Sequence, residues 1–162
     1  MVIITRLSES RWADYRDLRL ESLINDPLAY GSSYEEELPY QEDEWRQRMQ
    51  NVLFALEGGR PVGMIVCGRN NRLKTGHICG IYGVYINKQY RGRGIGNLLI
   101  DAAIAEIKNM PGIVKIELAV NPTQKAAAHL YRKYGFKVTG HAKKALCVNE
   151  IYYDELLMEK HL

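Results

Sequence analysis

QYRGRGIG, residues 89–96, places three glycines and two arginines in eight positions, directly after the apolar run ICGIYGVYI of residues 78–86. Glycine weakens a helix or strand by roughly 0.5–1 kcal/mol, so alternating Gly92, Gly94 and Gly96 are more than a plain connection needs. The spacing suits something that must come close to the backbone. Just beyond, Ile95, Leu98, Leu99, Ala102 and Ala103 recur at intervals of three and four, which predicts a helix that starts near Gly94. A helix start offers unpaired N–H groups and the positive end of the dipole. Without Cβ atoms in the way, the loop reads as a cradle for a pyrophosphate, with Arg91 and Arg93 adding charge. A Rossmann dinucleotide site asks for GxGxxG after an early βαβ unit, and a P-loop asks for GK[ST]; the GxGxG spacing here is neither.

Around this centre the chain alternates strands and helices. VIITRL, 2–7, reads as a strand, and 10–24 as an amphipathic helix that stops before Pro27. Residues 28–40 read as loop with some helix, and 41–50 as a short helix with acid early and base late. VLFALEGG and RPVGMIVCGR form a hairpin, followed by the polar loop NNRLKTG. The near-continuous apolar character of 77–86 predicts a central strand buried on both faces. VKIELAV, 114–120, is another strand. A helix follows with Thr123 as its N-cap, with Ala127, Leu130, Tyr131 and Tyr134 on one face and Gly135 ending it. Strands at 136–144 and 147–158 close the chain. The fold class is α/β: a mixed sheet with helices packed on its faces.

The 162 residues suit one domain spanning 1–162. With 46% hydrophobic and 25% charged residues the composition is that of a soluble globular protein. A net charge of +3 does not argue for nucleic acid, and it suits a small anionic ligand. Cys67, Cys79 and Cys147 show no CxxC and no zinc spacing. Their apolar neighbours predict buried reduced thiols, hence a cytoplasmic protein, and no metal is implied. The first twelve residues lack the pattern of a signal peptide, and no run approaches 18 apolar residues, so no membrane association is expected.

RGRGIG resembles the R/Q-x-x-G-x-G/A signature of the GNAT superfamily of acyl-CoA N-acyltransferases, at Arg91, Gly94 and Gly96, with an overlapping match at Gln89, Gly92 and Gly94. AAAHLYRKYGF, 126–136, resembles the family's A-x-x-L-Y-x-x-x-G-F segment at Ala127, Leu130, Tyr131, Gly135 and Phe136. DPLAYGSSYEEE and the terminal IYYDELLMEKHL resemble the flanking parts of bacterial members, so the likeness covers nearly the whole chain. The resemblance implies the GNAT fold: a mostly antiparallel sheet with a splayed parallel strand pair and helices on both faces. It implies acetyl-CoA as cosubstrate, with the pantetheine arm along Val84, Tyr85 and Ile86 and the pyrophosphate on the amides of Arg91, Gly92, Arg93, Gly94, Ile95 and Gly96. Asn121 or Gln124 would bond the pantetheine arm. Members are frequently homodimers, and a homodimer is the implied state.

Acetylating an amine needs a neutral nucleophile, a polarised carbonyl and a thiolate that can leave. At pH 7 roughly one alkyl amine in a few thousand is neutral. The resemblance makes Tyr131 the general acid at the departing sulfur and the amide of Val84 or Tyr85 the oxyanion donor. A core aromatic is the alternative reading of Tyr131. The strand glutamate found in many members has no counterpart in 78–86, and Ala119 stands where others carry a carboxylate on the next strand. Glu117, on the same strand face, and Glu35, with Glu36 and Glu37 beside it, are the candidate bases. His77 reads as structural. The acidic 35–44 region points to a small cationic acceptor or a peptide amine. The missing strand glutamate keeps open an alternative: a non-catalytic acyl-CoA-binding regulatory module.

Overall fold

Seven strands and five helices make up residues 1–162 in the computed structural model. The strands are β1 (Val2–Thr5), β2 (Val52–Glu57), β3 (Arg60–Arg69), β4 (Ile78–Ile86), β5 (Lys115–Val120), β6 (Lys137–Val148) and β7 (Ile151–His161). The helices are α1 (Trp12–Asn25), α2 (Tyr34–Glu37), α3 (Glu42–Arg48), α4 (Ile95–Asn109) and α5 (Lys125–Lys133). One sheet takes the order β1-β2-β3-β4-β5-β7-β6. Every neighbouring pair is antiparallel except β4 and β5, which run parallel and are joined through α4. This is the mixed α/β sheet that the alternation of elements predicts.

The sheet separates two apolar cores. On one face Ile95, Leu99, Ile100, Ala103 and Ile107 of α4 cover Ile65, Cys67, Ile81 and Ile116. The buried stripe of α4 is turned from the predicted one, and Leu98 is 42% exposed. On the other face Tyr15, Leu18 and Leu23 of α1 and Trp45 of α3 cover Phe54, Met64 and Tyr85. Tyr15 sits edge-on to both Trp45 and Phe54, at 5.5 and 5.8 Å between ring centroids.

Two irregularities of β4 shape the centre of the molecule. It pairs with β5 only at Ile78↔Lys115, Cys79↔Ile116 and Gly80↔Glu117, after which the strands part. On its other edge the register passes from Val66↔Tyr82 to Met64↔Tyr85, so β4 carries one extra residue. The bulge falls at Gly83, whose φ of +61° suits glycine. Side chains change faces across it. Cys79 and Ile81 join the α4 core before the bulge, whereas Tyr85 joins the α1 core after it.

Several expectations need correction. β4 is not buried on both faces: Tyr82 is 53% exposed and lies across Gly68, where a Cβ would stand 1.9 Å from its hydroxyl. Thr123 does not cap α5; Gln124 takes the N-cap position, and Thr123 instead donates to Asn121 Oδ1 from its amide and hydroxyl. The last two strands run on past their expected ends. They turn at Asn149–Glu150, both with positive φ, so the hairpin is made without a glycine. Cys67 and Cys79 are buried as expected, but Cys147 lies exposed on β6, where alternation points it to solvent.

Candidate active site

The glycine loop carries β4 into α4. Gly92 and Gly94 have φ of +75° and +78°, the left-handed region that L side chains avoid. Gly94 is the N-cap of α4. The amides of Gly92, Arg93 and Gly94 donate to no backbone carbonyl, and those of Ile95 and Gly96 open the first helical turn. Five successive backbone donors are thus left without a backbone partner at the start of α4. Gly96 serves a different end: a Cβ there would stand 3.1 Å from Leu130 Cδ2, so its absence lets α4 pack on α5. The two arginines are already engaged. Arg91 donates to the Ile86 carbonyl at 2.9 Å and to Asp26 at 2.6 Å, and Arg93 pairs with Glu57.

Below the loop, the parting of β4 from β5 leaves one edge of β4 open. The Asn87 amide donates to Val62 in β3. Strand alternation then turns the Tyr85 amide toward β3 as well, and aims the amides of Val84 and Ile86 into the gap. Of the two expected oxyanion donors, Val84 is therefore the one with a free N–H. The Tyr30 hydroxyl donates to the Val84 carbonyl, on the next peptide, at 2.9 Å. Tyr85 buries its ring on the α1 side, its hydroxyl donating to Glu21 at 2.6 Å.

Two cavities meet here. The larger, about 920 Å³, runs from the glycine loop down the gap; Val84, Tyr85, Ile86, Arg91, Gly92, Gly94, Ile95, Gly96 and Gln124 all line it. The smaller, about 580 Å³, opens beneath α1 and α3. Ala29, Val84, Gln124, Ala127 and Tyr131 line both. Tyr131 is 6% exposed, and burial pushes its pKa up to about 12. Its hydroxyl stays protonated throughout the ordinary pH range.

The other predicted residues fare differently. Arg93 lines neither cavity, being held by Glu57. Asn121 is buried at 2% and lines neither; its Oδ1 is taken by Thr123, while Gln124 reaches both cavities. Neither candidate base is brought to the site. Glu35 lies exposed on the outer side of α2, because Glu36 closes the Ser33 capping box and Glu37 turns inward. Glu117 stands on the closed part of the β4–β5 pair, before the strands part, and pairs with Lys115 at 2.8 Å. His77 is exposed and lines neither cavity.

Sequence reasoning missed several lining residues. Asp26, Lys125 and Lys133 border the larger cavity. Arg19, Arg48 and Glu155 border the smaller. Glu155 is in a strand paired to β5 and β6, so only the topology brings it to Tyr131; nothing in its local sequence signals it. Arg19 faces inward on the apolar stripe of α1, where a charged residue among Tyr15, Leu18 and Leu23 was a legible signal.

Residues 7–136 match the acetyltransferase (GNAT) family. The chain belongs to that family. This GNAT protein is an acetyl-CoA-dependent acyltransferase, an enzyme of N-acetyl transfer. It is similar to the L-amino acid N-acetyltransferase AaaT of Escherichia coli (strain K12), 26% identical over 98% of this chain and 97% of that one. A GNAT acetyltransferase from Streptococcus pneumoniae has the same fold, with a TM-score of 0.89 at 23% identity over the whole of both chains. So has a phosphinothricin acetyltransferase from Sinorhizobium meliloti, solved in complex with acetyl-CoA, with a TM-score of 0.83 at 19% identity over 99% of this chain and 88% of that one. No helix of the GNAT chain is long and apolar enough to cross a membrane.

Proposed function

We propose that the two cavities hold the two substrates of one reaction, acetyl-CoA in the larger and a primary amine in the smaller, and that the acetyl group passes between them by direct attack in a ternary complex. The observation that carries this is the shared wall of Val84, Gln124, Ala127 and Tyr131. The acceptor is an amine, cationic in water, on a small molecule or peptide.

The residues present fit the donor. Two left-handed glycines and five successive unpaired amides suit a pyrophosphate. The open edge of β4 suits the amide groups of a pantetheine arm, with Gln124 opposite. Arg91 and Lys125 add positive charge at the mouth. Acetyl-CoA supplies an activated acyl carbon as a thioester.

The chain does the rest. Glu155 takes the proton that the attacking amine must lose, directly or through water. The Val84 amide meets the negative charge that develops on the carbonyl oxygen. Tyr131 gives its proton to sulfur as the carbon–sulfur bond breaks. In water a transfer from pKa about 12 to a thiolate of ordinary pKa about 8.5 would run uphill by about 5 kcal/mol. Burial raises thiols too: Cys67, in the same core, is pushed up to about 12. A thiolate released into a site that excludes water would be raised in the same direction, which brings the two groups closer in pKa. No cysteine takes part: Cys67 and Cys79 are buried in the core, away from both cavities, and Cys147 is remote.

Thermal unfolding with and without millimolar acetyl-CoA, followed by release of free CoA thiol in the presence of amines, tests this. A ligand at a hundredfold over its Kd adds about 2.7 kcal/mol of stability, so a clear rise in the midpoint is expected, with amine-dependent thiol release. A midpoint unmoved in folded, CoA-free protein overturns the donor site. Binding without thiol release from any amine supports the regulatory module instead.

A further inference from the structure

We infer that the amine acceptor also carries an anionic group, and that Arg48, with Arg19 beside it, receives a carboxylate at the far end of the smaller cavity; the acceptor class is therefore the free amino acid and not the polyamine. This rests on the acetyl transfer proposed above.

Charge is not balanced beside the smaller cavity. Glu37 is fully buried on α2 and lines neither cavity. It receives Nε and Nη2 of Arg19 at 2.9 and 2.8 Å and Nη2 of Arg48 at 3.0 Å. Burial alone would raise its pKa, but the bonds and charge of Arg19, then the charge of Arg48, outweigh that and hold the carboxyl below its ordinary value. One carboxylate thus faces two guanidinium groups, both of which line the smaller cavity. One positive charge is left over at that end.

The donors are unbalanced in the same way. Two guanidinium groups carry ten N–H bonds between them, and Glu37 engages three nitrogens. Arg48 Nε is buried with no partner at all. Arg19 Nη1 points to the bulge of β4, 3.7 Å from where a Cβ on Gly83 would stand. Arg48 Nε has no accessible surface of its own, so a ligand would meet the remaining N–H groups of the Arg48 side chain, which is 35% exposed. Both groups are held in place by rings. Arg19 stacks on Tyr30 at 4.8 Å, and Arg48 on Tyr40 at 5.2 Å and Trp45 at 5.9 Å. A fork held this way loses little freedom when it takes a planar carboxylate.

The cavity is also polar in a direction. Glu155 of β7 and Ala119 and Val120 of β5 line it together with Tyr131 of α5 and its N-cap Gln124, next to the wall shared with the larger cavity. Arg19 and Arg48 come from α1 and α3 on the opposite side. An ammonium suits the first end and an anion the second. The acidic 35–44 region, which pointed to a cationic acceptor, adds nothing to the lining: no residue from 35 to 44 borders the cavity.

The test compares amines that differ only by the carboxylate: phenylalanine with phenethylamine, leucine with isoamylamine, lysine with cadaverine. Initial rates of thiol release give kcat/KM for each pair, in wild type and in Arg48→Gln and Arg48→Lys. The expected result is a preference of at least about a hundredfold for the carboxylate-bearing member. It should collapse toward parity in Arg48→Gln through a rise in KM and be partly kept in Arg48→Lys, while acetyl-CoA still raises the thermal midpoint of both variants. That midpoint shows that each variant is folded with its donor site intact. Should Arg48→Gln fail to fold, the wild-type ratios and Arg48→Lys decide. Equal or better turnover of the decarboxylated amines by wild type overturns the inference and leaves the acetyltransferase standing. No midpoint shift and no turnover of any amine overturns the acetyl transfer itself, and the inference with it.

Discussion

Tyr131 shows how burial decides what a residue can do. On α5 it is one aromatic among others, and Tyr134, three residues on, donates to the Asn97 carbonyl at 3.2 Å and packs. Of the two tyrosines only Tyr131 lines both cavities, and burial pushes its pKa up to about 12. Tyr131→Phe removes one oxygen and no packing. It should lower kcat by about 10²–10⁴-fold, the usual share of a general acid, with KM for acetyl-CoA little changed; steady-state rates check this. The pH dependence has a definite sign. The group works protonated and its pKa is raised, so kcat/KM in wild type should show no descending limb from Tyr131 below about pH 11. A limb near pH 10 that disappears in Tyr131→Phe would place the hydroxyl in water instead of in a buried site.

The glycine loop and β4 act as one element. Three glycines close together in sequence do different work. Gly92 and Gly94 permit left-handed backbone, and Gly96 lets two helices approach. The Cβ that Gly94→Val adds meets no neighbouring atom within 4 Å. Its penalty is conformational, roughly 1–2 kcal/mol for an L residue in this region, and it turns the amides of the helix start. The expected outcome is a folded protein whose acetyl-CoA affinity falls at least tenfold, read as the loss of most of the acetyl-CoA midpoint shift in thermal unfolding. Unchanged affinity would mean that the loop amides do not hold the donor. The strand obeys the same logic. Glycine at 83 gives the bulge its φ of +61° without strain, and a Cβ there would stand 2.8 Å from Val66 Cγ2; the bulge aims the Val84 and Ile86 amides into the gap.

At the scale of the whole molecule, α1, α2 and α3 are tied over the smaller cavity by Arg19, Glu37 and Arg48. Removing one partner of a buried charge pair leaves the others uncompensated, at a cost of about 3–5 kcal/mol. Glu37→Gln should destabilise by that order in urea unfolding at pH 7. The pH dependence again has a sign. The folded pKa of Glu37 lies below its ordinary value, so the stabilisation is complete above the ordinary carboxylate range and is lost as pH falls through the folded value. The gap between wild type and Glu37→Gln should hold steady above about pH 5 and narrow below about pH 4. A gap that is flat across that range would show that the Glu37 carboxyl titrates alike in the folded and unfolded chain, so that the two arginines do not lower its pKa.

Local chemistry was legible in the chain. Glycines at 92 and 94, the three-and-four spacing of α4, and Leu130-Tyr131 before Gly135-Phe136 are short-range patterns, and each forms where it was read. They suffice for the fold and the glycine loop, because a helix start, a strand and a cap depend on neighbours a few residues away. The smaller cavity was not legible in this way. It is assembled from α1, α3, β3, β4, β5, α5, β7 and the loop after α1, and only the folding of the sheet brings Arg19, Arg48, Glu155 and Tyr131 around it. The same folding sets aside what local reading favoured. Glu35 and Glu117 carry the right chemistry, but one faces solvent and the other lies before the strands part. A carboxylate becomes a candidate base by what it faces, and facing is a property of packing between elements far apart in the chain.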